Sequence, residues 1–339
     1  MTSVHVAELL GDGIATELKE SMHAVADALP LEFVFHPVDL SLEMREHSKR
    51  DVIEEAHAAM RKHKLAIKFP TVTRTVSPNA ILRRLCNFSV ILRPVISIPG
   101  IASNFKEKVF LHIVRIATGG TYDDPGRLIG KDAAISIRIV EGGPCRQAAK
   151  FAFNLARKKG LRMTSSSKHT IQKVTDGLFE SIVKDVHQGF PDVEHDVELF
   201  DALLAKIILH PHHYQVVMVL NEYGDFLSDM ASGLVGSIGT GASGTFSFDD
   251  NDDVDIAMFD PSGGTAPDIA GQNKCNPTSI LFCLGMLLDH IDHYEIGHGL
   301  RMAILSLIEE GTCTTDLGGK LGTREFTREV IARLPDNLP

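Results

Sequence analysis

Gln215-Val216-Val217-Met218-Val219-Leu220 runs directly into Asn221-Glu222-Tyr223-Gly224-Asp225-Phe226-Leu227-Ser228-Asp229. The first segment is an apolar run of strand length and reads as a buried strand. The second reads as the start of a helix, on which Asp225 and Asp229, four residues apart, project from one face. Carboxylates just past the carboxyl end of a buried strand stand where open α/β sheets bind ligands, and paired oxygen donors suit a hard divalent cation.

Outward from this segment, apolar runs of strand length alternate with amphipathic stretches. Val4 to Leu10 is followed by a helix from about Ile14, Phe33 to Val38 by a helix from Asp51, and Leu65 to Phe69 by a helix from Asn79. The pattern returns with a strand over Ala133 to Val140, a helix over Arg146 to Lys159 closed by Gly160, and a strand over Leu161 to Ser165. This alternation predicts an α/β fold. The Gly-, Ser- and Thr-rich stretch from Gly236 to Ser247 reads as a loop where the chain changes domains. Asp249-Asp250-Asn251-Asp252-Asp253 reads as a solvated turn, and His210-Pro211-His212-His213 as a surface corner, since Pro211 disfavours a single helical face.

With 339 residues, 44% of them apolar and 23% charged, the chain can bury a large core and is expected to form two domains. A net charge of -10 argues against nucleic acid as a partner and for a small-molecule enzyme. Five scattered cysteines without C-x-x-C spacing read as reduced thiols, neither a disulfide framework nor a zinc site. No run reaches membrane-spanning length and no leader pattern opens the chain, so no membrane partner and a cytoplasmic location are expected.

Three arginines lie near element ends: Arg83 in Ser77-Pro78-Asn79-Ala80-Ile81-Leu82-Arg83, Arg93 in Leu92-Arg93-Pro94, and Arg115 after Val114. Guanidinium forks bind carboxylates bidentately and stay charged, so a convergent set implies a substrate with more than one carboxylate. Ser77 and Asn79 add hydrogen-bonding groups beside Arg83, which implies a polar or anionic third substituent.

In order along the chain, Gly11-Asp12-Gly13-Ile14, the S-x-N-x-x-L-R and L-R-P-V elements, Lys168 with Lys173-Val174-Thr175-Asp176-Gly177-Leu178-Phe179, Tyr223 to Asp229, and Gly264-Thr265-Ala266-Pro267-Asp268-Ile269-Ala270-Gly271 with Asn276-Pro277 resemble the isocitrate and isopropylmalate dehydrogenase family of β-decarboxylating hydroxy-acid dehydrogenases. The resemblance covers nearly the whole chain. It implies a two-domain α/β fold with a large mixed sheet flanked by helices: residues 1–98 with 240–339 as a large nucleotide-binding domain, and 99–239 as a small domain carrying the dimer interface and the metal carboxylates.

The resemblance also implies roles. Asp225 and Asp229 hold Mg²⁺ or Mn²⁺, completed by Asp201 of a neighbouring subunit. Arg83, Arg93 and Arg115 bind substrate carboxylates, Ser77 and Asn79 its distinguishing substituent, and Lys168 (also from the partner) and Tyr122 move protons. The active unit is then a homodimer with two shared sites. Oxidation of a 2-hydroxy acid at C2 makes the 2-oxo group an electron sink, so the C3 carboxylate departs as CO₂ and the enolate is protonated.

The cofactor site lacks the G-x-G-x-x-G fingerprint, and the resemblance gives it Thr71, Thr170, Gly264, Thr265, Ala266, Pro267, Asp268, Ile269 and Asn276. A carboxylate at Asp268 accepts from ribose hydroxyls and repels a 2′-phosphate, which favours NAD over NADP. Several positions depart from the family: Gly263 replaces a histidine, Arg115-Ile116-Ala117-Thr118-Gly119 replaces Arg-Glu-Asn-Thr-Glu, Thr170 replaces an asparagine, and Phe69 stands where glycine is common. The expected activity is NAD-dependent oxidative decarboxylation of isocitrate or an analogue, such as phosphonomethylmalate in phosphonate biosynthesis. The alternatives are an isopropylmalate or homoisocitrate dehydrogenase, or a non-catalytic regulatory subunit.

Overall fold

A computed structural model describes residues 3–48, 50–74, 77–236 and 240–338. In chain order the elements are β1 (Val4–Leu10), α1 (Ala15–Asp27), β2 (Phe33–Asp39), α2 (Leu42–His47), α3 (Val52–His63), β3 (Leu65–Lys68), α4 (Pro78–Leu85), β4 (Val90–Ile96) and β5 (Phe110–Ile116). There follow β6 (Arg127–Ile129), β7 (Ala133–Ile135), α5 (Gly142–Lys159), β8 (Met163–Ser167), α6 (Thr175–His187), β9 (His195–Leu199), α7 (Phe200–Leu209), β10 (Val216–Val219) and α8 (Asn221–Leu234). The chain closes with β11 (Ala242–Phe248), β12 (Val254–Pro261), α9 (Thr278–His290), α10 (Tyr294–Glu309) and α11 (Thr323–Arg333).

Ten strands form one mixed sheet in the order β2-β1-β3-β12-β11-β4-β5-β10-β8-β9, so the fold is α/β, as the alternation predicts. The two wings are parallel, and reversal happens at the centre, where β11 and β4 run antiparallel to both of their neighbours. Caps mark the helices as their sequences suggest. Asp51 accepts from the Glu54 N–H at the start of α3, and Gly160 closes α5 in the left-handed conformation.

Apolar side chains form one continuous core on the face covered by α1, α5, α6, α9, α10 and α11. The opposite face carries two separate clusters, one beneath α3 and α4 and one beneath α7 and α8. Along β4 on that second face, Ile91 belongs to the first cluster and Val95 to the second, with Arg93 between them. Along β5, Ala117 and Ile113 likewise flank Arg115. The gap between the clusters is therefore where β4 and β5 present charge at the centre of the sheet, and it positions the site.

Three readings need correction. Ala242 to Ser247 is the body of β11, not a loop: its small polar residues carry loop composition, but pairing on both sides and nearly complete burial make it a central strand. Residues 237–239, including the expected domain passage at 239, lie outside the described residues. The strand expected over Ala133 to Val140 ends at Ile135, because the Ile137 N–H turns to the Asp124 carboxylate (2.5 Å) and Arg138 turns inward to Asp176 and Glu222. Finally, α5 begins at Gly142, four residues before Arg146, since Pro144 fits a first helical turn. The five cysteines are free and buried, the acidic run is a turn between β11 and β12, and Pro211–His213 form a single 3₁₀ turn. Among the described residues no helix is long and apolar enough to cross a membrane.

Candidate active site

Antiparallel pairing of β4 with β5 sets Ile91 opposite Arg115 and Arg93 opposite Ile113. Both arginines then project from the same sheet face as diagonal neighbours. Helix α8 crosses that face directly after β10, bringing Asp225 and Asp229 over them. Arg93 Nη1 donates to Ser228 Oγ (2.6 Å), to Asp225 Oδ1 (3.4 Å) and to Asp229 Oδ1 (3.3 Å). Arg115, only 2% exposed, pairs through Nη1 with Asp225 Oδ1 and donates through Nε to Asn221 Oδ1 (3.0 Å). The other oxygen of Asp225 accepts from the Tyr122 hydroxyl (3.0 Å), and Tyr122 itself is half-exposed beside the Arg115 guanidinium.

Close approach of α8 depends on Gly224. A Cβ there would stand 2.6 Å from both Cβ and Cγ of Arg115. Gly224→Ala is expected to cost about 1–3 kcal/mol of stability, and to lower turnover too because Arg115 is the group displaced. An unchanged melting temperature and rate would contradict this contact. The substituted Arg115–Gly119 run ends in two left-handed residues, Gly119 and Gly120, each at φ +72°. The usual glutamate at position 119 would be strained in that backbone, so the sequence departure and the local turn are one change. Gly119 is held there by Asp123 and by the Asn221 amide.

These contacts fix the charge states. Burial alone raises the Asp225 carboxyl, but the charges of Arg115 and Arg93, with hydrogen bonds from Tyr122 and Arg115, outweigh it and hold the group below the ordinary carboxylate range. Burial, then repulsion from Arg93 and Arg83, brings Arg115 down to about 10, so it stays charged at neutral pH. Burial and the nearby Asp225 push the Tyr122 hydroxyl up, which keeps its proton in place.

On the α4 side, Asn79, Arg83 and Arg93 line a polar cavity of about 130 Å³ that also touches Lys68, Thr71, Asp260, Gly263 and Gly264. Asn79 Oδ1 and Arg93 Nε are buried there with no partner among the described residues. Buried polar atoms without partners are costly, and a polar ligand entering the cavity satisfies them. The Arg83 side chain forms no hydrogen bond or salt bridge among the described residues, though Asp260 and Asp225 act on its charge. Ser77 is half-buried at the start of α4, and its side chain makes no capping hydrogen bond among the described residues.

Lys68 and Asp260 were missed by the sequence reading. Lys68 is 2% exposed at the end of β3, and its amine donates to Phe69 O (2.9 Å) and Thr71 Oγ1 (3.2 Å). Burial brings that amine down to about 8 despite the nearby Asp260. Asp260, near the end of β12, accepts from Ser243 Oγ at 2.5 Å. A charged residue ending an apolar strand run was the available signal at both positions. Phe69 is fully buried in the core and also borders the cavity.

The expected nucleotide segments come together. The Asp12 N–H donates to Pro70 O (2.7 Å) and the Ile14 N–H to Thr265 O (2.9 Å), while the Asp12 carboxylate accepts from the Leu42 and Val72 N–H groups. This joins Gly11–Ile14 to Thr71 and to Gly264–Ile269. In that loop Asp268 is exposed, and among the described residues its carboxylate has no partner, so it does not cap the next turn. Asn276 is engaged with Asp316 (2.9 Å) and with the Thr278 N–H.

Three expected residues stand apart within this chain. Lys168, just past β8, donates from Nζ to Asp201 Oδ1 (2.6 Å) in the first turn of α7, and the pair makes no hydrogen bond or ion pair with Asp225, Asp229 or Tyr122. Thr170 is exposed beside Lys168 and far along the chain from the Gly264 loop that it was expected to join. The Lys168 N–H donates to Asp176, which also receives Arg138 and Tyr223, so the segment is rigidly held.

The donor chemistry at α8 fits a hard divalent ion: two carboxylates share one guanidinium, so their oxygens face the same side, and no thiolate or imidazole competes. The Gly264–Ile269 loop fits a dinucleotide in that its unpartnered Asp268 is free to accept from ribose hydroxyls.

The profile described as isocitrate/isopropylmalate dehydrogenase matches residues 3–330. The chain belongs to the isocitrate/isopropylmalate dehydrogenase family. Among its relatives, a regulatory chain of the mitochondrial NAD isocitrate dehydrogenase of Dictyostelium discoideum is 32% identical over 97% of this chain and 91% of its own length. A 3-isopropylmalate dehydrogenase of Methanothermobacter thermautotrophicus is 30% identical over 99% of this chain and 100% of its own. A crystal structure of isocitrate dehydrogenase from Methylococcus capsulatus superposes with a TM-score of 0.87 at 28% identity, over 97% of this chain and 99% of that one. The family's large mixed sheet is the sheet described above.

Proposed function

We propose that this chain is an NAD-dependent, divalent-metal-dependent dehydrogenase that oxidatively decarboxylates an isocitrate-like 2-hydroxy acid, and that it works as a homodimer. The observation that carries the reading is the convergence of Arg93 and Arg115 on the Asp225–Asp229 pair, beside a polar cavity holding Arg83 and the unpartnered Asn79 and Arg93 atoms. Relatives named as NAD isocitrate dehydrogenases support the cofactor and the reaction class.

Each residue has a defined task. The three guanidinium groups bind the substrate's carboxylates, and Asn79, with Ser77 before it, meets the remaining substituent. Mg²⁺ or Mn²⁺ held by Asp225 and Asp229, with Asp201 of the partner subunit, supplies Lewis-acid stabilisation of negative charge on the C2 oxygen. Lys168 of the partner subunit would take the hydroxyl proton, and bound NAD would supply the hydride acceptor for C2. Loss of CO₂ from the adjacent carbon leaves an enolate, and the Tyr122 hydroxyl, held protonated beside Asp225, gives its proton to that carbon. Exposed apolar residues on the 127–139 segment and around Lys168, with Leu128 75% and Val174 84% exposed, support burial of this face against a second copy.

The polar lining disfavours an isopropyl side chain, which needs an apolar wall. Isocitrate or an analogue with a third anionic group, such as phosphonomethylmalate, fits better, with homoisocitrate next. Purified protein with Mn²⁺, NAD and a panel of substituted malates is expected to reduce NAD fastest with a tricarboxylate or phosphonate acid; preference for 3-isopropylmalate would contradict the assignment. NAD is expected to exceed NADP in kcat/KM by at least about tenfold because Asp268 opposes the 2′-phosphate. Better use of NADP would remove that role from Asp268. The Dictyostelium relative and Gly263 favour a second reading, in which the chain regulates a catalytic partner. Inactivity of the chain by itself, with activation of such a partner, would decide for it.

A further inference from the structure

Away from the candidate active site, three histidines meet at the edge of the sheet. His5 stands near the amino end of β1, His36 lies on the edge strand β2, and His63 is the last residue of α3. Parallel register places Ala7 beside His36, so His5 and His36 emerge on the face that α3 covers. His5 Nδ1 lies 2.9 Å from His36 Nε2, and the His36 and His63 rings stack at 3.8 Å between centroids. One nitrogen from each of the three lies within 4.8 Å of the others. Among the described residues no other group of histidine, cysteine, aspartate or glutamate meets that condition.

We propose that His5, His36 and His63 form a binding site for a borderline divalent transition cation of the zinc type, distinct from the hard-ion carboxylates of α8. Imidazole nitrogen suits Zn²⁺, Ni²⁺, Cu²⁺ and Co²⁺ and has little attraction for Mg²⁺. Bond lengths of about 2.0–2.1 Å to zinc place ligand nitrogens about 3.3 Å apart, so shifts of only about an ångström bring the three into coordination. His5 is exposed and the other two are half-buried, so side-chain rotation supplies that movement. Burial, followed by the neighbouring histidines and Lys62, lowers the affinity of His36 and His63 for protons and leaves lone pairs available. Lys62 is the opposing charge, and Ser3 Oγ, 3.2 Å from His5 Nε2, engages the ring's other nitrogen. Three protein ligands leave a fourth position to water. The bound ion ties β1, the edge strand β2 and the end of α3 together, at the amino end of β1, whereas Asp12 and the active site lie past its carboxyl end.

The test uses the full chain, stripped with a chelator and titrated calorimetrically with Zn²⁺ in excess Mg²⁺, alongside His36→Gln, His63→Gln and Asp225→Asn. Wild type and Asp225→Asn are expected to bind one Zn²⁺ per chain with the same affinity, and each histidine variant about tenfold or more weakly. Added Zn²⁺ should raise the melting temperature of wild type and not of His63→Gln, and Co²⁺ should give the visible absorption of nitrogen ligation. Circular dichroism confirms that each variant is folded, and His63→Gln, at a helix end, serves should His36→Gln fail. The proposal is overturned by absence of saturable binding, by equal binding in all variants, or by loss of zinc on Asp225→Asn alone.

Discussion

Asp225→Asn is expected to lower Mn²⁺-dependent turnover by about 10³-fold or more, the equivalent of ~4 kcal/mol of transition-state stabilisation. Three groups depend on this one carboxylate: Arg115, Arg93 and the Tyr122 hydroxyl. The amide keeps the size and one acceptor oxygen, so Arg115 is not abandoned in the interior and the chain is expected to remain folded. It cannot, however, compensate two guanidinium charges or serve as an anionic ligand. Steady-state rates across a Mn²⁺ titration, with circular dichroism as a control for folding, measure the effect. A variant with near-normal kcat at saturating Mn²⁺ would remove Asp225 from the site.

Lys168→Met is expected to lower kcat by about 10²–10⁴-fold with substrate binding largely retained. Its more informative use is in a mixture. In one chain Lys168 pairs with Asp201 rather than with the α8 carboxylates, so the proposed site draws its two halves from different copies. If they do, a dimer of one Lys168→Met and one Asp225→Asn protomer contains one site carrying both lesions and one carrying neither. Random reassortment of the two inactive proteins should then restore about one quarter of wild-type activity, because half of the dimers are mixed and each has one good site. Failure to recover any rate, with subunit exchange verified by mass, would show that the sites are not shared in this way.

Much of the architecture was legible because local periodicity and burial agree. The apolar runs of β1, β3 and β10 are strands, and the amphipathic stretches at α1 and α3 are helices starting near the expected residues. Strand β11 was not legible, because Ala242-Ser243-Gly244-Thr245 has the composition of a loop and is made a strand by β4 and β12, neighbours remote in sequence. The same distinction governs the site. Spacing within α8 placed Asp225 and Asp229 on one face, a local property. That Arg93 and Arg115 share a face follows from an antiparallel register that the sequence does not state. The link between Lys68 and Asp260 spans β3 and β12, paired strands far apart in the chain, and only folding reveals it.

The most direct measurement is the coupled yield of CO₂ and reduced NAD from an isocitrate-type acid labelled in the carboxylate on C3. With Mn²⁺ present, the account predicts one labelled CO₂ for every NAD reduced, with both products absent from Asp225→Asn. Reduced NAD without labelled CO₂, or neither product from any acid in the panel, would contradict it.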